Sequence, residues 1–277
     1  MTDRASDPIL RIASWNVNSV RKRIDLVARL VKERKPDILC LQECKVADPL
    51  FPHEALADLG FEHRAISGQK GYNGVAILSR LPIRWSEPLY WIGSEDRRHI
   101  RAEIETKAGP VQVHSLYMPA GGDIPNPERN PKFKAKLAFL AEQQAWWQAL
   151  GGNERDRVIL TGDFNVAPLI EDVWSHEKLR RVVTHTEVER TALTELLATS
   201  GLQDAMRVHY GTEQKLYTWW SYRTADWQGA NKGRRLDHIW SGRAWTERLV
   251  GIEIFRDARG WPEPSDHVPV LADFKLD

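Results

Sequence analysis

Arg157-Val158-Ile159-Leu160-Thr161-Gly162-Asp163-Phe164-Asn165 is the stretch whose reading decides the fold. Three consecutive apolar residues, two of them β-branched, predict a short buried strand. Gly162 is expected to break it. Asp163 and Asn165 then emerge two residues apart, sharing a face if the chain stays extended. A carboxylate and a carboxamide at the mouth of a rigid strand suit a hard cation or an ordered water. The same residues also make a good strand-ending Asx turn. Taken alone, the stretch leaves both readings open, so the question becomes whether the design recurs.

It does recur. Ile9 to Trp15 reads as a strand ending at Asn16-Val17-Asn18, and Ile38 to Leu41 as a second one delivering Gln42-Glu43. Between them Ile24, Val27, Ala28, Leu30 and Val31 repeat at helical spacing, which predicts a helix over about 20–34. Val75 to Leu78 is a further strand. Residues 97–105 and 111–117 alternate at period two around Gly109-Pro110, as an antiparallel hairpin does, and lead into Tyr117-Met118-Pro119. A loop rich in Gly, Pro and Asn precedes a helix over about 131–150, and another helix is expected over about 186–199. Leu236-Asp237, a strand over 250–255 and Ser265-Asp266-His267 before a last strand close the chain. Helices between some strands and hairpins between others predict an α/β fold, a mixed-sheet sandwich with helices outside. One domain over 9–277 is the simplest organisation, behind a disordered polar tail at 1–8.

Composition narrows the function. The 277 residues are 42% hydrophobic and 28% charged, ordinary for a soluble globular protein. A net charge of +1 excludes a globally basic, histone-like mode, so any polyanion site must be a local patch. No apolar run approaches the ~20 residues of a membrane span, and the first residues carry no apolar signal core. A cytoplasmic protein is expected. Cys40 and Cys44 are the only cysteines, too few for a zinc tetrahedron without nearby histidines, and they suit a reducing compartment. Several of the twelve tryptophans fall among Arg and Lys, where indoles can stack on bases or sugars.

Asn16, Glu43, Tyr117, Asp163, Asn165, Asp237, Asp266 and His267 all flank apolar strand segments. Gathered on one rim, they would form an oxygen-rich cluster favouring Mg²⁺ or Mn²⁺ over zinc. Repulsion among Glu43, Asp163, Asp237 and Asp266 itself argues for a cation. The chemistry that needs such a rim is attack on a phosphate ester. The metal neutralises developing charge and lowers the pKa of bound water toward ~7, and an imidazole exchanges protons or pairs with phosphate.

At these motifs the chain resembles a known family. Trp15-Asn16-Val17-Asn18, Leu41-Gln42-Glu43-Cys44-Lys45, Tyr117-Met118-Pro119, Gly162-Asp163-Phe164-Asn165, Arg235-Leu236-Asp237 and Ser265-Asp266-His267 look like the ordered motifs of the exonuclease III family. These enzymes are bacterial relatives of the DNase I-like phosphoesterases that incise DNA at abasic sites. The resemblance implies a four-layer α/β sandwich with the site at one edge of two packed sheets. It implies a Mg²⁺-dependent hydrolase, with Mn²⁺ a possible substitute, acting as abasic-site endonuclease, 3′→5′ exonuclease and 3′-phosphatase. Its partner would be duplex DNA with abasic sites or blocked or recessed 3′ ends; it would be a monomer with no obligate protein partner and no membrane.

Carried over by position, Glu43 would be the principal metal ligand with Asn16 and Asp266 nearby, and Asp163, Asn165 and His267 would border the ion. Asp163 would position or deprotonate the attacking water and Asn165 would hold it. His267, oriented by Asp237, would bind the scissile phosphate, and Tyr117 would contact it or assist the leaving oxygen. Lys45, Arg98, Trp219, Arg234 and Leu236 would meet DNA, with Arg97, Lys232 and Arg235 as further backbone-phosphate candidates. Some relatives carry an apolar or aromatic residue in place of Arg234, at the wall that would hold a flipped-out sugar. Cys44 replaces a small hydroxyl residue, and the loop from Ala120 to Pro131 is this chain's own. Two rivals stand beside this reading. One is a phosphoesterase of the same architecture acting on inositol phosphates or sphingomyelin; the other is a non-catalytic binding module.

Overall fold

The computed structural model describes residues 8–277; the expected tail, Pro8 apart, lies outside the described residues. Two six-stranded sheets face each other, their strands numbered in chain order. One contains β1 (Ile9–Asn16), β2 (Ile38–Gln42), β3 (His63–Ser67), β4 (Val75–Ser79), β13 (Leu249–Ile254) and β14 (Val270–Lys275), ordered β13-β14-β1-β2-β4-β3. The other contains β5 (Ile83–Trp91), β6 (Ser94–Ile104), β7 (Val111–Tyr117), β8 (Val158–Asp163), β9 (Gln203–Asp204) and β12 (Asp237–Ser241), ordered β5-β6-β7-β8-β12-β9. A small pair, β10 (Trp219–Trp220) and β11 (Gly233–Arg234), lies apart.

The strands are apolar on both sides because both faces are covered. Inward, Ile12, Ile38, Cys40 and Ile77 meet Ile100, Val113, Ile159 and Ile239 between the sheets. Outward, Ala13, Trp15 and Leu39 pack on Val27, Leu30 and Val31 of the helix Ile24–Arg34. On the far side Val158 and Leu160 pack on Phe139, Leu140 and Trp147 of the helix Pro131–Ala149, and on Leu193 and Leu196 of the helix Glu187–Ser200. The result is four layers, helix–sheet–sheet–helix. The parallel pairs β1–β2 and β7–β8 are bridged by the first two of these helices, since parallel neighbours need a crossover.

Local chemistry sets the helix ends. Asn130 caps the second helix by accepting from Lys132 N, with Pro131 at the first position. Thr186 and Glu189 form a reciprocal capping box on the third. The first helix starts at Ile24 rather than near residue 20, because the backbone ahead of it is not helical: Ser19 has φ 88° and Arg23 has φ −119° and ψ 24°.

Gly162 does not break its strand: β8 runs through it to Asp163. Its φ is 147°, and a Cβ there would lie 1.9 Å from the Leu116 carbonyl oxygen. The glycine lets β7 and β8 approach closely while the ladder continues. The edge strand β3 and the helix His53–Asp58 were not expected, because short, half-polar segments carry little periodicity. Both cysteines are free and buried. Among the described residues no helix is long and apolar enough to cross a membrane.

Candidate active site

Register builds the site. Tyr117 of β7 pairs with Asp163 of β8, and Asp163 pairs with Asp237 of β12. Three functional side chains therefore stand in a row across adjacent strands. The facing sheet brings Asn16 at the end of β1 beside Gln42 at the end of β2. Glu43 follows directly, and His267 precedes β14. The strand ends do gather on one rim.

His267 Nδ1 lies 2.8 Å from Asp237 Oδ2, and its Nε2 lies 3.6 Å from Asp163 Oδ2. Asn16 Nδ2 donates to Glu43 Oε1 and to Asp163 Oδ2, both at 2.9 Å. Asn165 donates from its backbone to Asp163 Oδ1 at 2.9 Å and from its side chain to Asp163 Oδ2 at 3.1 Å and the Met118 carbonyl at 3.0 Å. Asp163 and Asn165 meet, though not along an extended chain: Asn165 has φ 52° and curls back. Asn18, Glu43 and Lys45 also sit in the left-handed region, at φ 48°, 51° and 53°. Such strained non-glycine residues gather where surrounding structure over-determines a site.

Cations border the cluster. Lys45 Nζ lies 2.7 Å from Glu43 Oε2 and donates to Asn18 Oδ1 at 2.6 Å. Arg98 sits 5.1 Å from the Tyr117 ring centroid and 3.1 Å from Asp96. Asp266 accepts from Trp219 Nε1 at 2.9 Å and from Asn18 Nδ2 at 3.3 Å.

The electrostatics follow from burial. Burial pushes the Asp163 pKa up; His267 opposes this, while the Asp237 and Glu43 charges add to it. Burial would push the His267 imidazolium pKa down, but the Asp237 and Asp163 carboxylates overcome it and hold the proton on. For Glu43 the burial penalty is outweighed by hydrogen bonds from Asn16 and Lys45, so its carboxyl stays below the usual range. Burial, then the Glu43 and Asp163 charges, raises the Tyr117 phenol well above 10, keeping its proton in place.

A hard divalent cation fits this donor set. Asp163, Asp237 and His267 bring their polar atoms within 4.8 Å of one another. The imidazole, its proton held on, has no lone pair to offer, so the oxygen donors are the carboxylates, with Glu43 tied beside Asp163 through Asn16 Nδ2. Asp237 Oδ1 is buried with no hydrogen-bond partner, and an orphaned carboxylate oxygen among other carboxylates is what a cation would relieve.

The structure also redraws several expectations. Asn16 turns its amide hydrogens, not its carbonyl, toward the centre, because Glu43 and Asp163 both need a donor; its Oδ1 accepts from Asn18 N. As placed, Asn16 bridges two carboxylates. Leu236 is 3% exposed and packs with Ala167, Val173 and Leu179 against Trp219, so it backs the wall and does not face DNA. Arg235 is fully buried and committed to Asp172 and Asp204, so it is no phosphate contact. Lys136 was not foreseen. It is fully buried, pairs with Glu189 and donates to the Asn165 carbonyl at 2.8 Å. The available signal was a lysine at i+3 from Phe133 and i−4 from Leu140, inside an apolar helix stripe.

Comparison with known proteins agrees with this geometry. The Endonuclease/Exonuclease/phosphatase family model matches residues 13–267. The chain is 32% identical to the exodeoxyribonuclease III of Haemophilus influenzae over 276 residues, covering 96% of this chain and all of that one. An AP endonuclease from Archaeoglobus fulgidus superposes with a TM-score of 0.85 at 33% identity, covering 96% of this chain and 99% of the other. A 3′ phosphatase from Neisseria bound to a product DNA hairpin superposes equally, at 0.85 and 35%, with the same coverage. With the motifs on one rim, the layers in place and these likenesses spanning nearly its whole length, the chain belongs to the exodeoxyribonuclease III group of the endonuclease/exonuclease/phosphatase family.

Proposed function

We propose that this chain is a metal-dependent DNA-repair hydrolase that works as a 3′→5′ exodeoxyribonuclease, an endonuclease cleaving 5′ to abasic sites, and a 3′-phosphatase. It acts as a single catalytic domain over 9–277, a cytoplasmic monomer without an obligate protein partner, on duplex DNA with abasic sites or blocked 3′ ends. One observation carries the reading: the row Tyr117–Asp163–Asp237, with His267 held against Asp237.

Each residue has work suited to its placement. Asp163 is held by N–H donors from Asn16 and Asn165, which fixes it to take a proton from the attacking water. His267, its Nδ1–H fixed on Asp237, presents Nε2–H to a phosphoryl oxygen and stabilises the charge that develops there. Tyr117 keeps its proton, as its environment dictates, and donates toward the departing 3′-oxygen. Asn165 steadies the water's approach, while Lys45, Arg98, Trp219 and Arg234 meet the DNA. Water adds to phosphorus, the bond from phosphorus to the 3′-oxygen breaks, and the products are a 3′-hydroxyl and a 5′-phosphate. Mg²⁺, with Mn²⁺ as substitute, would be held by Glu43 with Asp266 and the Asp163 side of the cluster, supplying Lewis-acid neutralisation of phosphoryl charge.

The test is a duplex oligonucleotide carrying one abasic-site analogue, incubated with Mg²⁺ or with EDTA. Incision 5′ to the lesion, lost in EDTA and in Asp163→Asn, is the expected result. An intact duplex from folded, Mg²⁺-supplied wild type would sink the abasic-site activity and leave 3′ resection to be measured on its own.

A further inference from the structure

Thr218 is fully buried just ahead of β10, and its polar groups lead to three catalytic segments. Its carbonyl accepts from Val268 N at 2.9 Å, next to His267. Its Oγ1 accepts from Leu236 N and from Asp237 N, both at 3.0 Å. The Leu236 carbonyl in turn accepts from Phe164 N at 2.8 Å, next to Asp163. On its remaining side Thr218 N donates to the Arg234 carbonyl at 2.9 Å.

The two side-chain bonds shape the backbone between β11 and β12. Arg234 ends the first of these strands and Asp237 begins the second, and Arg235 and Leu236 belong to neither. Arg235 N donates to the Asp172 carbonyl at 2.8 Å. Extended backbone would send the next two N–H groups to opposite edges. Here Leu236 N and Asp237 N converge on one oxygen, forming a concave nest that requires a kink. A hydroxyl has two lone pairs, and Oγ1 spends both on this kink. Directly beyond it Asp237 pairs with Asp163 and holds His267 Nδ1 at 2.8 Å.

Resting on the nuclease reading above, we propose that Thr218 is a positioning residue for the Asp237–His267 pair. Its hydroxyl fixes the kink that aims Asp237 at His267 Nδ1, while its carbonyl holds the other half of the pair at Val268. Fully buried, it touches no substrate. It sets the angle of the imidazole at the scissile phosphate, and so governs turnover more than binding. Serine keeps the acceptor. Valine puts a methyl group against two amide nitrogens and leaves both N–H groups unpaired.

The experiment uses the full chain with Thr218→Val, Thr218→Ser and Thr218→Ala. Turnover is measured on an abasic duplex with Mg²⁺. In EDTA the far-downfield proton resonance of the His267 Nδ1–H···Asp237 bond is recorded, assigned by its loss in His267→Gln. Thr218→Val should lower kcat about 10²-fold with KM within about twofold, and should shift or abolish the resonance. Thr218→Ser should keep both near wild type. Added to Asp237→Asn, Thr218→Val should cost less than about threefold more, because both changes disable one unit. If Thr218→Val does not fold, Thr218→Ala is read by the same measurements. A folded variant with wild-type resonance and kcat would overturn the role, as would a full multiplicative loss on top of Asp237→Asn. Failure of both Thr218→Val and Thr218→Ala to fold would also overturn it, making Thr218 a residue of folding alone. A wild type that cleaves no DNA removes the nuclease reading, and the resonance then decides the positioning role by itself.

Discussion

Asp237 holds His267 Nδ1 through one oxygen at 2.8 Å and leaves its other oxygen, fully buried, with no partner. The pair orients the imidazole and supplies the negative charge that keeps it protonated. Asp237→Asn and His267→Gln should each lower kcat by about 10²–10⁴-fold on an abasic duplex. Because the two act as one unit, the double variant should fall little further than the worse single one. Independent, multiplicative losses would show that Asp237 does not act through His267.

Asp163 gives a prediction of opposite sign for stability. In the unfolded chain it ionises near ~3.9; in the metal-free fold, burial, with Asp237 and Glu43 adding to it, keeps its proton on to higher pH. Between those two values the folded state binds more protons than the unfolded one, so stability falls as pH rises through that window and stays lowered above it. Asp163→Asn removes this penalty. The new NH2 must face one of the N–H donors that Asp163 accepts from, so the expected signature in EDTA is the trend: the Tm of the variant relative to wild type should rise from about pH 4 to neutral pH, although the enzyme is disabled. Divalent cation should raise wild type alone. A Tm difference that does not change between about pH 4 and pH 7.5 in EDTA would show that Asp163 ionises in the fold as it does in the unfolded chain.

Gly162→Ala should be severe, because its Cβ would meet the Leu116 carbonyl oxygen at 1.9 Å on backbone that cannot yield cheaply. Strand separation there also displaces Asp163 from Tyr117. A loss of about 4 kcal/mol or more in urea unfolding is expected. A cost under ~1 kcal/mol would mean that β7 and β8 part more easily than their ladder suggests.

Lys136 and Glu189 are both fully buried and tie the Asn165 carbonyl to the Thr184–Thr186 backbone. Lys136→Met leaves an unpaired buried carboxylate and should cost about 3–5 kcal/mol, whereas the double change with Glu189→Gln, whose Oε1 still accepts from the Thr184 and Thr186 N–H groups, should recover much of that. The double variant should nevertheless lose kcat more than KM, since Asn165 is then free to leave φ 52°. Full kcat in a folded double variant would confine the pair to a structural role.

Much of this was legible beforehand because apolar strands carry their own signal and the polar residues at their ends stand out against it. The layered sandwich and the gathering of Asn16, Glu43, Tyr117, Asp163, Asp237 and His267 follow from that pattern and from the family motifs. What was hidden depends on long-range partners. Arg235 reads as one more basic residue beside Arg234, yet it is buried against Asp172 and Asp204, residues 63 and 31 positions away. Gly162 reads as a stop until the closeness of Leu116 is seen. The orientation of the Asn16 amide depends on two acceptors, one of them 147 residues distant.

The Tyr117–Asp163–Asp237 alignment is set by strand register, and register has a period of two residues. A single insertion or deletion within β7, β8 or β12 would turn one member of the row to the opposite face, with no rotamer able to bring it back. Length change is tolerable instead in connections such as Ala120 to Asn130, where the chain can lengthen without shifting a ladder. A connection of that kind can be rebuilt to alter substrate preference while the ladders hold the spacing of the reaction centre.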